Sequence, residues 1–552
     1  MRRGPGVAVV VALAAAAGCS GPASGNAPAA GPPADGPPTV ADTPTRARAA
    51  DGSYISWREH IIDDLAVGGV ALAGSDGLAM ADLDRDGHLD VVSVHESDTT
   101  YDGVPDGHVR IAYGAADPDI WERYTLAEGP EAGAAEDVAV GDMNGDGYPD
   151  VVVACELAHL IYLENPGAAG RAAHWKRVIP SAARGRGSYI RVFLADFDGD
   201  GRPEVVAANK GAQNPARDTA ETHPIAWFAL PADPLDGDAW VEHELARVIV
   251  PINAQPVDLD GDGDLDVVGG SRGEQRIFWF ENVSAADIAF VEHRIEIRPA
   301  SAVTGFNMDF ADLDGDGRLD IALRDEGRGL VWLAQPAEPG GAWRAHAIGD
   351  LAPDRLVGFV LTDLDGDGRR DAFTGAYSQA PRDVDAAEPS VSHRAGRLAW
   401  FQQPDDPAGA WTRHDVSRRI RGIFDKFVAR DMDADGDVDL VGTRGNSVPY
   451  DGSSGSSRCA APSRCRPSTR PASARAASCR CRSSSPVRRT RTAGAPRSSR
   501  RRAGMPLIWR LLGTVVGRAD YRNDNPCDRY FLEFSKLQRN GRVTIPTRRT
   551  AV

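Results

Sequence analysis

Seven short acidic stretches share one frame. The fullest reads Asp312-Leu-Asp314-Gly-Asp316-Gly317-Arg-Leu-Asp320. In each, oxygen-bearing side chains stand at positions 1, 3, 5 and 9, and glycine stands at position 6. The sets are Asp82, Asp84, Asp86, Asp90; Asp142, Asn144, Asp146, Asp150; Asp196, Asp198, Asp200, Glu204; and Asp258, Asp260, Asp262, Asp266. They continue with Asp312, Asp314, Asp316, Asp320; Asp363, Asp365, Asp367, Asp371; and Asp431, Asp433, Asp435, Asp439. Only Asn144 and Glu204 depart from Asp, and both keep an oxygen. An oxygen-only donor set at loop spacing suits a hard cation such as Ca²⁺, with up to seven structural sites, and the glycine permits a sharp turn. So many carboxylates per turn would otherwise repel one another.

The residues around each stretch must present it as a turn. Before the loops, apolar side chains alternate, as in Leu78 and Met80, Val138 and Val140, or Met308 and Phe310. After them come short apolar runs such as Val151-Val152-Val153 and Val267-Val268. Each loop is therefore the turn of a hairpin. A third strand carries an aromatic, as in Ala226-Trp227-Phe228, Phe278-Trp279-Phe280, Val331-Trp332-Leu333 and Ala399-Trp400-Phe401. A fourth opens on a bulky ring with His three residues on: Trp240 and His243, Phe290 and His293, Trp343 and His346, Trp411 and His414. These histidines hold equivalent places in separate repeats, so they do not converge as metal ligands.

The loops begin 60, 54, 62, 54, 51 and 68 residues apart. Several strands per repeat of that length predict an all-β fold, a seven-bladed β-propeller of four-stranded blades over residues 53–452. The fourth-strand pattern also occurs at Trp57-Arg-Glu-His60, ahead of any loop. That amino-terminal strand is expected to complete the seventh blade and close the ring.

Of 552 residues with a formal net charge of −17, residues 451–552 hold 23 Lys+Arg and 5 Asp+Glu. Subtraction leaves 39 basic and 74 acidic residues in 1–450, a net of −35. Such a body repels nucleic acid. Residues 1–19 read as a secretory leader, with Met-Arg-Arg, an apolar run from Val7 to Ala17, and Gly18-Cys19; the run is too short to span a membrane. Ala16-Ala17-Gly18-Cys19 resembles a bacterial lipobox, which implies acylation of Cys19. The expected location is extracytoplasmic, at the periplasm or cell surface, with the lipid as the only membrane attachment; simple secretion is the alternative. Residues 20–52, rich in Pro, Gly and Ala, read as a flexible tether. Cys155 is alone in the body, so no disulfide framework is implied.

By the strand count, the third strand of blade seven should follow Pro449-Tyr450-Asp451-Gly452. The chain instead turns to Ser-Ser-Gly-Ser-Ser-Arg-Cys and a basic, low-complexity tail over 453–552, expected to be disordered. Codons exist for Gly452 to Ala460 which, read from the third base of the first and ending on the second base of the last, give Val-Leu-Trp-Leu-Glu-Gln-Val-Arg. That string matches Leu330-Val-Trp-Leu-Ala-Gln335. The tail reads as a frameshifted translation, which leaves blade seven one strand short and the weakest part of the ring.

The loops with their flanking strands resemble the FG-GAP/VCBS repeats of integrin-α-like propellers. The resemblance covers about residues 53–452, and its calcium ligands fall on the carboxylates and amide named above. The seventh loop position is expected to add its backbone carbonyl.

The start of strand one and the end of strand two lie opposite the calcium turn, around a central funnel. Six residues beyond the loops stand Glu96, Glu156, Lys210 and Arg272, with Arg324 and Arg444 near the same place in later blades. Five residues before the loops stand Asp137, Arg191, Asn253, Asn307 and Lys426. Such a polar rim suits a carbohydrate or anionic group. Two readings follow: a monomeric, extracytoplasmic module binding a glycan or protein, or a carbohydrate-active lyase or dehydratase with its site in the funnel. The residues favour the first, with no catalytic residue assigned.

Overall fold

The computed structural model describes residues 47–461, apart from 98–104, 173–174, 217, 285–286, 339, 378–395, 420–421, 434 and 446–451. The leader, Cys19, the tether to residue 46 and the tail beyond 461 lie outside the described residues. Seven antiparallel sheets are present, one per repeat. Blade one is typical: Ser75–Ala81, Asp90–His95, His108–Tyr113 and Glu122–Glu128, paired in that order. The first strand of each blade is innermost and packs beside its counterpart in the next. The outermost strands alternate between exposed and covered residues, as period-two strands with one wet face do.

The closure is as expected. Tyr54–Asp63 forms the outer strand of blade seven, so the two ends of the ring share one sheet and no edge stays open there. Three details differ from the sequence reading. Blade five has an extra strand, Glu296–Arg298, running parallel to the outer strand Ala342–Gly349. The tether ends earlier than residue 52: Ala47 and Ala49 are buried against blades six and seven, and the Ala50 N–H donates to the Asp365 carbonyl. The propeller also extends past 452, because Gly452–Ala461 occupies the third-strand slot of blade seven. Pairing needs only backbone groups, so a Gly/Ser segment can take the slot without supplying the apolar side chains that the slot buries elsewhere.

The core is a ring of separate clusters, one in each seam between neighbouring blades. The seam between blades one and two buries Val92, Ile111, Val151, Ile161 and Trp175 among others. The seam between blades seven and one is poorest, with Ile62, Leu78, Val91, Ala112, Trp121 and Val441 as its buried members. The third-strand aromatic explains the difference. In blades three to six this Trp pairs with the second residue after the last loop ligand and with the fourth-strand His: Trp227 with Val206 and His243, Trp279 with Val268 and His293, Trp332 with Ala322 and His346, Trp400 with Phe373 and His414. Each His ring lies on its Trp, at centroid distances of 4.0 to 4.5 Å. The histidines are thus strand-packing groups. In blade seven the same register puts Gly455 opposite both Val441 and His60.

Candidate functional site

Each acidic loop is built by its own side chains. The first Asp accepts backbone N–H groups on both oxygens; Asp312 Oδ1 takes Gly315 and Asp316 at 2.7 and 3.1 Å, and Oδ2 takes Gly317 at 2.9 Å. The glycine at position 6 has φ between 88° and 102° in all seven loops, a left-handed conformation that disfavours any Cβ. Asn144 keeps the pattern, its Oδ1 accepting from Asp146 N at 2.9 Å. Oxygens of Asp196, Asp198 and Asp200 gather within 4.8 Å of one another, as do those of Asp258, Asp260 and Asp262 and of Asp312, Asp314 and Asp316. In loop one the gathered set is Asp82, Asp84 and Asp90.

Position 9 does more than the sequence implied. Its carboxylate is mostly buried and holds the blade together. Asp320 Oδ2 accepts from Leu313 N at 2.9 Å, and Oδ1 from Gln335 N, just after the third strand, at 3.0 Å. Asp90, Asp150, Asp266 and Asp371 bind the same two points, while Glu204 and Asp439 hold the loop N–H. Burial, with neighbouring loop carboxylates adding to it, pushes Asp90, Asp150, Glu204 and Asp320 up to about 7 and Asp371 to about 8. The residue after the third strand then reaches the preceding blade. The side-chain amides of Asn165, Asn282, Gln335 and Gln403 donate to the carbonyls of Leu83, Phe197, Leu259 and Leu313, each at position 2 of a loop one blade back. The recurrent Asn/Gln three residues past the third-strand aromatic was the overlooked signal.

The loops fit Ca²⁺. Oδ2 of the first Asp, which accepts one N–H, keeps a further lone pair for a cation. The geometry already draws cations in: Arg171 of blade two lies on Asp84 and on Asp86, the latter at 2.7 Å, and Arg318 and Arg369 lie on Asp316 and Asp367.

The FG-GAP-like repeat family matches residues 82–153, 258–323 and 312–374. The chain carries FG-GAP-like repeats. No curated protein matches it in sequence. Among solved structures, BBS1N in complex with ARL6DN is 10% identical with a TM-score of 0.40, covering 76% of this chain and 99% of that one. The exotype rhamnogalacturonan lyase YesX is 12% identical with a TM-score of 0.39, covering 76% and 75%. The rhamnogalacturonan lyase PL11 of Bacillus licheniformis is 13% identical with a TM-score of 0.37, covering 74% and 73%.

At the channel end opposite the loops, the blades bring much of the expected rim together, but bury it. Arg191 donates to Asp425 Oδ2 at 2.9 Å and to Asn307 Oδ1 at 3.2 Å, while Asn307 Nδ2 donates to Asp425 Oδ1 at 3.0 Å. Blades three, five and seven thus meet on the axis. Lys210 pairs with Glu156, and Lys426 lies 3.4 Å from Asp137. Arg191 and Arg272 both pack on the Phe306 ring, whose backbone carbonyl accepts from Asn253 Nδ2. Glu96 is buried beside Asp76 and Glu136, with carboxylate oxygens within 4.8 Å. Burial first, then Glu156 and Asp76, holds the Glu136 carboxyl well above the usual range. Arg324 does not join; it pairs with Glu326 in its own blade. Arg444 is buried at the end of its strand.

The sequence reading missed Asp76, Glu136, Phe306 and Asp425. All stand six residues before a loop, one earlier than the position chosen. In blades one and two the strand pairing skips this residue, from Ser75 to Gly77 and from Ala135 to Asp137. These bulges re-aim side chains that strict alternation would turn away.

Proposed function

We propose that the chain is a calcium-stabilised, extracytoplasmic binding module that recognises a glycan or protein partner through the funnel face opposite the calcium turns. The observation carrying this reading is the mutual neutralisation of the funnel charges. Arg191 with Asp425, Lys210 with Glu156, and Lys426 with Asp137 hold a fixed polar floor. Groups so paired and buried serve shape and recognition better than proton transfer. Within and beside this floor Arg272, Asn307 and Lys426 are partly exposed and present polar groups to a ligand's hydroxyl or carboxylate. Ca²⁺ in the loops fixes the blades that present this face. Acylation at Cys19 tethers the module, and mass spectrometry of the mature amino terminus checks it. Among the described residues, no helix is long and apolar enough to cross a membrane.

One observation favours the lyase or dehydratase alternative: Glu136, whose carboxyl burial holds well above the usual range, lies 3.7 Å from Arg191. Glycan-array binding combined with product analysis on uronic and keto sugars separates the two. The binding module predicts retained ligand and no product. Turnover that disappears in Glu156→Gln with folding intact would establish the enzyme instead.

A further inference from the structure

Between the ionic floor and the calcium turns, the central channel holds a cavity of about 380 Å³, within the range of small-molecule pockets. Its wall comes from the inner strands of blades one, two, three, four and seven. Met80, Val140, Phe193 and Leu194 present half-buried apolar surface to it. The charged groups in the lining are two cations, Lys426 just ahead of the inner strand Phe427–Arg430 and Arg430 at its end. Lys426 sits at the floor with its Nζ 5.5 Å from the Phe193 ring centre, and Arg430 is exposed. Four residues of extended strand separate them by about 13 Å.

We propose that this channel binds a monocarboxylate with an unbranched acyl chain, its tail among the apolar side chains and its carboxylate on Arg430. Two features select that class. The lining side chains, apolar but for Gln255, Lys426 and Arg430, favour a tail without hydroxyl groups over a sugar. Arg430, exposed at the mouth of the channel, supplies a positive charge for a single negative head group, while Lys426 is already paired with Asp137. The site lies on the other side of the ionic floor from the proposed glycan or protein face, so either can fail without the other.

Calorimetric titration of the full chain in calcium with decanoate and with decanol tests the site. Saturable 1:1 decanoate binding is expected. Arg430→Glu should weaken decanoate about tenfold and leave decanol unchanged. Ala139→Trp should fill the channel and abolish both, with Met80→Arg as a second channel variant should the first not fold. Absence of saturable decanoate binding, or binding that survives a folded channel variant, overturns the site.

Independently, the register of blade seven carries the reading-frame expectation further. We infer that the strand belonging at 453–458 is Val-Leu-Trp-Leu-Glu-Gln, displaced by a frame change at codon 452. In the shifted reading, the Trp codon takes two of its bases from codon 455, the position facing Val441 and His60. The flanking Leu codons fall likewise on 454 and 456. Ser454 and Ser456 now line a gap with Phe373, Leu398 and Phe427. Gln falls on 458, three past the Trp, where Gln335 and Gln403 stitch other blades to their neighbours. The combined change Ser453→Val, Ser454→Leu, Gly455→Trp, Ser456→Leu, Ser457→Glu and Arg458→Gln should raise the melting temperature of the full chain. An unchanged or lower melt, or a gene whose DNA keeps the present frame in every independent read, defeats the inference.

Discussion

Gly317 shows how much of each loop is backbone chemistry. Its φ of 89° and its N–H to Asp312 make glycine the natural occupant. Gly317→Ala should cost about 1–2 kcal/mol in urea unfolding, with or without calcium, because the penalty is steric. Carboxylates in one loop should separate by role. In EDTA, Asp314→Ala should change stability little or raise it slightly, since it removes like-charge repulsion. Asp320→Ala should lower stability by about 2 kcal/mol, since it strips the acceptor from two backbone N–H groups. Equal effects would contradict the division. A third residue gives a pH test. His95 is buried, with Ser75 Oγ at 2.6 Å from Nδ1 and Ser93 Oγ at 3.0 Å from Nε2. Burial, then His108 and Arg110, holds it well below the ordinary histidine value. The fold therefore favours the neutral ring, and its contribution is present above about pH 6.5 and is lost as pH falls below that. Urea unfolding at about pH 7.5 and pH 5.5 should show a larger acid loss in the native chain than in His95→Gln. The loop residues were legible because position and chemistry repeat together. Glu136 and Asp425 were not: a bulge sets the direction of Glu136 and leaves no mark in a strand's alternation, and Asp425 stands ahead of its strand Phe427–Arg430.

At the scale of elements, strand order and the closing role of Tyr54–Asp63 followed from counting repeats, since each blade repeats the same four signals. The parallel addition of Glu296–Arg298 did not, as three residues carry too little periodicity. The amide stitch between blades was visible only as a recurrent Asn or Gln with no evident role. Gln403 makes the role plain. Its backbone N–H donates to Asp371, and its Nε2 donates to the Leu313 carbonyl of the preceding blade at 2.8 Å. Gln403→Leu keeps the backbone bond and removes the stitch. It leaves a buried carbonyl without that donor, and unfolding should show a loss of about 1–3 kcal/mol. A loss below the error of the measurement would make the stitch incidental. The seam between blades seven and one should open first. Hydrogen exchange should find its amides least protected among the inner strands, because its apolar cluster lacks the third-strand ring that the other late seams bury.

The described residues form a closed ring whose blades pack on their neighbours, and on the axis Arg191, Asn307 and Asp425 meet while Lys426 reaches Asp137 and Phe193. Stability is then a sum over seams, and in blades two, four, five and six the last loop carboxylate and the amide stitch clamp the seam to the preceding blade. Seven acidic turns within a body of net charge −35 oppose this closure unless a cation neutralises them. Each occupied site at a hundredfold excess of calcium over its dissociation constant adds about 2.7 kcal/mol. The most direct measurement is the thermal unfolding of the full chain in millimolar calcium, in EDTA, and after calcium is restored. The melting temperature should fall sharply in EDTA and recover on adding calcium back. A melt that does not change between the first two conditions would contradict calcium as the clamp of the ring.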